Sequence, residues 1–348
     1  MGSSSSQPTG WKYFMGIHMG LGRGPMDELM EIRVGGRTAW KTRINYIPIP
    51  AIFGSGVLGY HQVADDTKVV TSSQLIKICA PMLFGGDEKE GGIEGTFDVM
   101  MGEDTQEPPA ALATMLGGPV PGFRGMASGF FNGHICSNSP YPKEWKFRMR
   151  RTTSGWDGAT WYPAKAVIWH GSGQGLDAIK AANPAHMLYE TYTNRDWGRG
   201  MAAERLDLAS FIAAADKLHA EGFGLCLSWN RQSKLSEFQQ VILDHIAGVC
   251  GTDLNTGKIR LKLLRDDYDA GTLPSFDYES GLLGIDEEQI ASPADATNEM
   301  VVKWFDPVRK EERQTPPVQN LGAIQASGRR NSTVVEYSGV AWASLALR

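Results

Sequence analysis

The sequence predicts an α+β protein in which β-rich segments flank an α/β module, and three observations carry that prediction. Short strand-like runs punctuated by Gly and Pro extend from residue 10 to about residue 170, apolar residues repeat at helical spacing between about 175 and 270, and strand signals return after Leu282. The composition agrees, because Gly 41 and Pro 18 in 348 residues favour many turns and short strands over long helices. At roughly 150 residues per domain the length suits two or three domains. The divisions fall at 1–170, 171–270 and 271–348, with the α/β module inserted into a discontinuous β domain that the last segment completes. Repeated short strands make that domain a barrel or a sandwich.

The first elements are the runs Trp11 to Met19 and Met30 to Val34, separated by a bend rich in glycine, Gly20, Gly22, Gly24 and Pro25. Gly35-Gly36 then reads as a two-residue hairpin turn, since glycine tolerates the positive φ that both type I′ positions need. Further strands are expected over Lys68 to Ile78, Ile93 to Met101, Phe130 to Ser137, Trp145 to Arg151 and Ala164 to Trp169. Lys146 to Arg151 alternates polar residues with Phe147 and Met149, the period of a half-buried strand. Ala110 to Leu116 is a short helix closed by Gly117-Gly118.

In the middle segment Asn183-Pro184 has the form of an N-cap followed by proline at the first helical position, opening a helix to about Tyr192. A second helix begins at Asp207, with Leu208, Phe211, Ile212, Ala215 and Leu218 on one stripe and Gly222 as its left-handed stop. Leu225 to Trp229 reads as a strand. Ser233 caps a third helix through Leu235, Phe238, Ile242 and Ile246, and Asn255-Thr256-Gly257 turns the chain into a strand over Lys258 to Arg265. Beyond Leu282, Glu299 to Phe305 and Arg313 to Gln319 flank the turn Asp306-Pro307 as a hairpin, and Thr333 to Tyr337 forms another strand.

Composition excludes several classes of function. With 42% hydrophobic and 21% charged residues the chain is ordinary for a globular protein. A net charge of -5 argues against a nucleic-acid binder held by a general basic field. Lys146, Arg148, Arg150 and Arg151 make a local basic strip, best read as a solvated or subunit-facing strand. The cysteines, Cys79, Cys136, Cys226 and Cys250, form no Cys-x-x-Cys pair and behave as small hydrophobes of a reducing compartment. His134-x-Cys136 alone supplies too few ligands for a metal. MGSSSSQPTG lacks the features of a secretory signal, and no apolar run is long enough to span a membrane.

Catalytic signatures are missing: there is no G-x-S-x-G elbow, H-E-x-x-H helix or P-loop. Gly171-Ser-Gly173-Gln-Gly175, between the expected strand Ala164 to Trp169 and a helix over Leu176 to Ala182, has the setting of a pyrophosphate loop. However, Leu176 occupies its third glycine position and Pro184 follows closely, so an interdomain linker explains it better. Gly54-Ser-Gly56-Val-Leu-Gly59 matches G-x-G-x-x-G in full but precedes strand-like Tyr60-His61-Gln62-Val63, and suits a loop at a subunit contact. The acidic clusters Asp266, Asp267, Asp269 and Asp286, Glu287, Glu288 lack the glycine and distal glutamate of a calcium loop and read as solvated carboxylates. The scattered histidines, His186 and His219 among them, are structural. No catalytic, cofactor-binding or metal-binding residue is nominated.

An ordered set of blocks resembles a known family. Tyr13, Phe14, Gly16, His18, Gly20, Pro25, Glu31, Ile32, Arg33, Gly35 and Trp40 come first, followed by LFGGDEKEGGIEGTFDVMMG (Leu83 to Gly102) and PGFRG (Pro121 to Gly125). NPAHMLYETYTNRDWGRG (Asn183 to Gly200) and EGFGLCLSWNR (Glu221 to Arg231) complete the set, which spans roughly the first 320 residues. Together they resemble the central tail-tip, host-attachment or baseplate-hub, proteins of lambda-like long-tailed bacteriophages. The resemblance implies tube-type β domains carrying an α/β insertion, assembled as a homotrimer that closes the distal tail tube and opens for DNA ejection. It implies a protein made in the host cytoplasm and placed in the virion at the tail tip. Its partners would be the distal tail protein, other tail-tip proteins and the tape-measure protein, with DNA passing the lumen unbound; acidic clusters facing that lumen would reduce sticking. Family members continue past the position of Arg348, so a longer protein is expected. The residues nominated for partner contacts are Trp11, Phe14, His18, Arg23, Ile49, Phe53, Arg195, Trp197 and Arg199. Alternatives from other classes are a tail-associated enzyme such as a cell-wall hydrolase, which needs two spaced carboxylates in a cleft, and a receptor-binding module.

Overall fold

The computed structural model describes residues 11–42, 44–50, 57–64, 69–86, 89–137, 141–152, 161–171, 178–230, 232–266, 268–273, 275–279, 281–284 and 296–347. The chain is α+β and divides into two compact units, Met1–Gly155 and Trp156–Arg348.

The first unit holds β1 (Trp11–Arg23), β2 (Glu28–Val34), β3 (Arg37–Lys41), β4 (Ile44–Pro50), β5 (Val57–Ala64), β6 (Gln74–Ala80), β7 (Ile93–Met100), helix α1 (Ala110–Leu116), β8 (Met126–Ser137) and β9 (Trp145–Arg150). They form a four-stranded sheet β1-β8-β7-β6, a three-stranded sheet β3-β2-β9 and a two-stranded ribbon β4-β5. The two larger sheets share one core: Leu29, Ile32, Val34 and Trp40 of the second meet Ile76, Ile78, Ile93, Phe97, Phe131 and Ile135 of the first. This is the sandwich-like alternative; no sheet of the described residues closes into a barrel. The opposite face of the four-stranded sheet is covered in part by α1 and the loop after it, with Leu112 packed on Met100 and Phe130, and Val120 and Phe123 against them.

Gly35-Gly36 is the expected two-residue turn: Val34 pairs Arg37 across it, and φ is 55° and 77° at its glycines. The expected strand Lys68 to Ile78 instead begins at Gln74, after a bridge between Val70 and Leu29. Ser73 turns the chain there, taking Glu103 Oε1 with its backbone N–H at 2.7 Å. The basic strip is not solvated throughout: Arg150 is buried and its Nη1 donates to Glu28 at 2.7 Å, tying β9 to β2.

The second unit contains β10 (Val167–His170), β11 (Ile179–Ala182), α2 (Pro184–Thr193), α3 (Leu208–Ala220), α4 (Leu235–Ile246), β12 (Gly248–Thr252), β13 (Ile259–Leu263), β14 (Glu299–Asp306), β15 (Glu311–Gln314), β16 (Val318–Gln319), α5 (Leu321–Ser327), β17 (Ser332–Glu336) and α6 (Ala343–Ala346). One core joins the helices to the last strands: Leu188, Phe211, Leu218, Ile242 and Ile246 pack with Val302, Trp304, Val340 and Leu345. Asn183 caps α2, accepting the Ala185 N–H at 3.1 Å. Gly222, at φ 65°, ends α3 as expected, with Phe223 N–H bonded back to Leu218 and Gly222 N–H to His219.

Four expectations in this unit are corrected. The segment before Asn183 is no helix: β10 and β11 form an antiparallel hairpin in which Val167 pairs Ala182 and His170 pairs Ile179. Ile179 and Ala181 alternate inward there, so period two wins over the loop-and-helix reading; the Gly173 to Gly175 turn lies outside the described residues. Leu225 to Trp229 makes a single bridge, Leu225 to Ala182, because the next backbone N–H, of Cys226, goes to Gly339. Ser233 does not cap α4; its hydroxyl accepts the Trp229 indole N–H at 2.9 Å. The strand expected over Arg313 to Gln319 is broken into β15 and β16 around Pro316-Pro317, which have no N–H to give to a ladder.

Two imidazoles are neutral in this unit. His245 Nδ1 donates to Val241 O at 2.7 Å, so its Nε2 accepts the Gly339 N–H at 3.0 Å, and burial holds its pKa below the ordinary value. The Val241 carbonyl and the nearby Asp244 act in the opposite sense, favouring the proton, but burial is the larger effect; the Tyr337 ring meets the imidazole edge-on at 5.0 Å. Burial lowers His186 to about 4, with its Nε2 on Tyr162 O at 3.0 Å. The unfolded chain protonates these groups near pH 6.5 and the fold does not, so stability declines as pH falls from 6.5 towards 4. His186 alone should account for about 2 kcal/mol by pH 5. Urea midpoints followed by tryptophan fluorescence should drop over that window in the native chain and drop less in His186→Gln. Equal pH dependence in the two would rule out this role for His186.

Candidate partner interface

Five of the nine nominated contact residues stand on described strands of the first unit. β1 is 13 residues long and carries Trp11, Phe14, His18 and Arg23. Such a length is well above the usual strand of about 5 or 6 residues. Among the described residues it pairs only with β8, so its other edge presents backbone N–H and C=O groups to whatever lies outside. Charge on this strand is confined to Lys12 and Arg23 near its ends, and the register shift at Gly20/Gly22 bends its last part.

Side chains alternate across that strand. Tyr13, Met15 and Met19 face the sandwich core, while Phe14 and His18 face the other way. Phe14 is 65% exposed and meets His134 edge-on at 5.2 Å, directly across the ladder. His18 packs on Phe123 at 4.8 Å; its Nε2 is buried without a hydrogen-bond partner, and burial lowers its pKa. Arg23 ends the strand and is exposed. Ile49 lies on the β4-β5 ribbon opposite Gly59. Phe53 lies outside the described residues.

The other three nominees belong to the second unit, in the loop after α2. Asn194 organises that loop: its Oδ1 accepts the N–H of Asp196 at 3.0 Å and of Trp197 at 3.1 Å, and its carbonyl accepts Gly200 N–H. Arg199 Nη2 donates to Gln239 Oε1 at 2.9 Å, and buried Gln239 donates to Thr191 at 2.8 Å, so the loop is fastened to α4. The Arg199 guanidinium also lies over Tyr192, 5.4 Å from its centroid. Trp197 meets Trp229 edge-on at 5.7 Å, and Trp229 stacks on Phe238 at 5.2 Å. The half-buried Trp197 keeps an indole N–H that is buried without a partner. Arg195 is exposed. An aromatic cluster held by a hydrogen-bonded loop is composed as protein contact surfaces are.

Two features escaped the sequence reading. The unpaired strand edge is a property of sheet order, which no single strand reveals. The segment after β13 exposes Tyr268, Phe276 and Tyr278 by 63%, 72% and 74%. Its signal was present, in aromatics set within a stretch from Asp266 to Val302 that has no Lys or Arg.

A cavity of about 430 Å³ lies in the second unit between α4, β14 and the C-terminal segment, lined by Phe223, Ile246, Val302, Tyr337 and Leu345. Its polar rim is already satisfied, because Arg265 bonds Glu221 through Nε and Nη2, each at 2.9 Å. Among the described residues no three His, Cys, Asp or Glu side chains gather as a metal site would require, and no helix is long and apolar enough to cross a membrane.

No protein-family model matches this chain, and no curated protein matches it. Among solved structures, it is similar to a chain of the virion of a native gene transfer agent (GTA) particle, at 15% identity and a TM-score of 0.41, over 99% of this chain and 71% of that one. A likeness at this identity and score leaves the reading of function to the residues themselves.

Proposed function

We propose that this chain is a structural, non-enzymatic subunit of a bacteriophage tail tip. Three copies form a hub that closes the distal end of the tail tube, organises the tip proteins and opens for DNA ejection. The ordered blocks from Tyr13 to Arg231 support the family, and one geometric observation supports assembly: an open four-stranded sheet whose 13-residue edge strand β1 pairs, among the described residues, with β8 alone. A lone sheet edge of that length invites pairing with another chain, and a neighbouring subunit satisfies it. In this reading the distal tail protein and the tape-measure protein contact the hub, DNA passes its lumen without specific binding, and Phe14, His18 and Trp197 lie at subunit or partner contacts. The protein is made in the host cytoplasm and resides in the virion.

Cryo-electron microscopy of particles carrying this chain tests the reading. Three copies in a ring on the tail axis, with β1 against a neighbouring subunit, are expected. Density confined to positions away from the axis would remove the hub assignment.

A further inference from the structure

Residues 338–347 lie on the core of the second unit, with Val340, Leu345 and Ala346 buried in it. The segment starts from a fixed point, because the Tyr337 N–H donates to Lys303 O of β14 at 2.9 Å. Beyond Tyr337 the backbone bonds that tie it to other described elements both belong to Gly339. Its carbonyl accepts the Cys226 N–H at 2.9 Å, and its own N–H donates to His245 Nε2 at 3.0 Å. The bonds of Val340 to Tyr337 and of Leu345 and Ala346 to Trp342 are local turns. Glycine is required at the pinned position, since a Cβ there would stand 2.8 Å from Leu227 Cδ2 and 3.0 Å from His245 Nε2.

Packing around the segment is open on two sides. The cavity of about 430 Å³ is bounded by Val340, Leu345 and Ala346, and a second, of about 180 Å³, by Trp342, Ser344 and Leu345 with Trp169, His170 and Gly222. Leu345 lines both, so part of its surface lacks partner atoms and forfeits their dispersion attraction. A segment held by modest apolar burial and one pinned peptide belongs to the low-stability end of a fold.

The pin depends on the protonation of one ring. Val241 O can only accept, so His245 Nδ1 carries the proton and Nε2 offers the lone pair that the Gly339 N–H needs. A proton on Nε2 would set N–H against N–H. The groups around the ring are Asp244, beside it on α4, and Tyr337, edge-on at 5.0 Å. Across the larger cavity Arg265 and Glu221 are bonded to each other, and His170, on the smaller one, holds Gly224 O at 3.0 Å through Nε2. Burial outweighs Asp244 and keeps His245 neutral at neutral pH.

We propose that residues 338–347 form a latch over the apolar core of the second unit, closed while His245 is neutral and released when its Nε2 takes a proton. Release opens the larger cavity and uncovers Ile246 and Val302. The released form leaves His245 near its ordinary pKa of about 6.5 and the closed form holds it lower, so the closed form loses ground as pH falls below that value.

Hydrogen exchange of the full chain, followed by mass spectrometry at about pH 7.5 and about pH 5 and corrected for intrinsic rates, tests the latch. Protection of 338–347 should fall by about tenfold or more relative to α3 at the lower pH. His245→Gln, whose amide oxygen can accept the Gly339 N–H and takes no proton, should abolish that difference, and His186→Gln should keep it. Equal relative protection at the two pH values, including a loss that α3 shares in full, would overturn the latch. A pH dependence that survives in His245→Gln would overturn it as well, and would move the titrating group to His170.

Discussion

Replacing Gly129 by alanine is expected to cost the first unit about 3 to 5 kcal/mol, the loss associated with evicting a core aromatic ring. Gly129 lies in β8, opposite Val99 of β7. A Cβ built on it would sit 2.1 Å from Phe97 Cζ and within 3 Å of both Phe97 Cε atoms, so the ring occupies the space that any other residue needs. Phe97 has no exposed surface and cannot swing outward. Its ring stacks on Phe147 at 5.7 Å and on Trp145 at 6.1 Å, both from the facing sheet. Displacing it therefore disturbs the contact between the sheets as well as one strand. The facing pair Gly95 and Gly133 also lies under Phe131, but there the nearer obstacle is the backbone of the opposite strand, Asn132 O at 2.5 Å from a Cβ at Gly95 and Glu94 O at 2.4 Å from one at Gly133. Aromatic rings laid over strand glycines restore the apolar cover that glycine lacks.

Denaturant unfolding should show the cost as a lower midpoint with little change in slope. Gly36→Ala is the contrasting control. Nothing lies within 4 Å of its Cβ position and φ is 77°, so only backbone strain of about 1 kcal/mol is added. Phe97→Leu combined with Gly129→Ala should cost less than the sum of the two, because the smaller side chain makes room for the methyl group. Strict additivity would show that the ring is not what Gly129 accommodates.

What the sequence disclosed was local. The Gly35-Gly36 hairpin, the Asn183 cap and the Gly222 stop each depend on a residue's own backbone preference, and each stands where that preference put it. Alternation in Trp145 to Arg150 was likewise readable, because Phe147 and Met149 must face a core whichever sheet supplies it. Readings that depended on competition went astray. Ser233 suits an N-cap, but the Trp229 indole takes its hydroxyl. Leu225 to Trp229 has strand composition, but its hydrogen bonds are divided between Ala182 and Gly339, which are far apart in sequence. Sheet order lies further out of reach. Nothing in Trp11 to Arg23 says that β1 is an edge, and the candidate interface follows largely from that position. The strands after Leu282 were visible, but their packing of Val302 and Trp304 against Phe211 and Ile242 depends on contacts that no local pattern encodes.

Asn183→Ala should destabilise the second unit by about 3 kcal/mol, several times what a surface cap contributes. The sequence identifies Asn183 as a helix cap, and its Oδ1 does accept the Ala185 N–H at 3.1 Å. The other half of the amide does more. Buried completely, its Nδ2 donates to Lys165 O at 3.0 Å and to Ala215 O at 2.9 Å, joining the turn before β10 and the middle of α3 to the start of α2. Alanine leaves the buried Ala185 N–H without its acceptor and takes a donor from the buried Ala215 carbonyl and the half-buried Lys165 carbonyl, and an unsatisfied buried group costs about 1 to 3 kcal/mol. Serine separates the contributions: its hydroxyl can cap α2 but cannot span to both carbonyls, so Asn183→Ser should recover about 1 kcal/mol relative to alanine and no more. Full recovery by serine, read from urea midpoints, would reduce Asn183 to an ordinary cap. The same residue matters to the interface, because α2 runs from this junction to Asn194, which shapes the loop bearing Arg195, Trp197 and Arg199. Loosening the helix at its start should therefore disorder the Trp197–Trp229–Phe238 cluster at its end, and tryptophan fluorescence of the alanine variant should shift towards that of exposed indole before global unfolding begins.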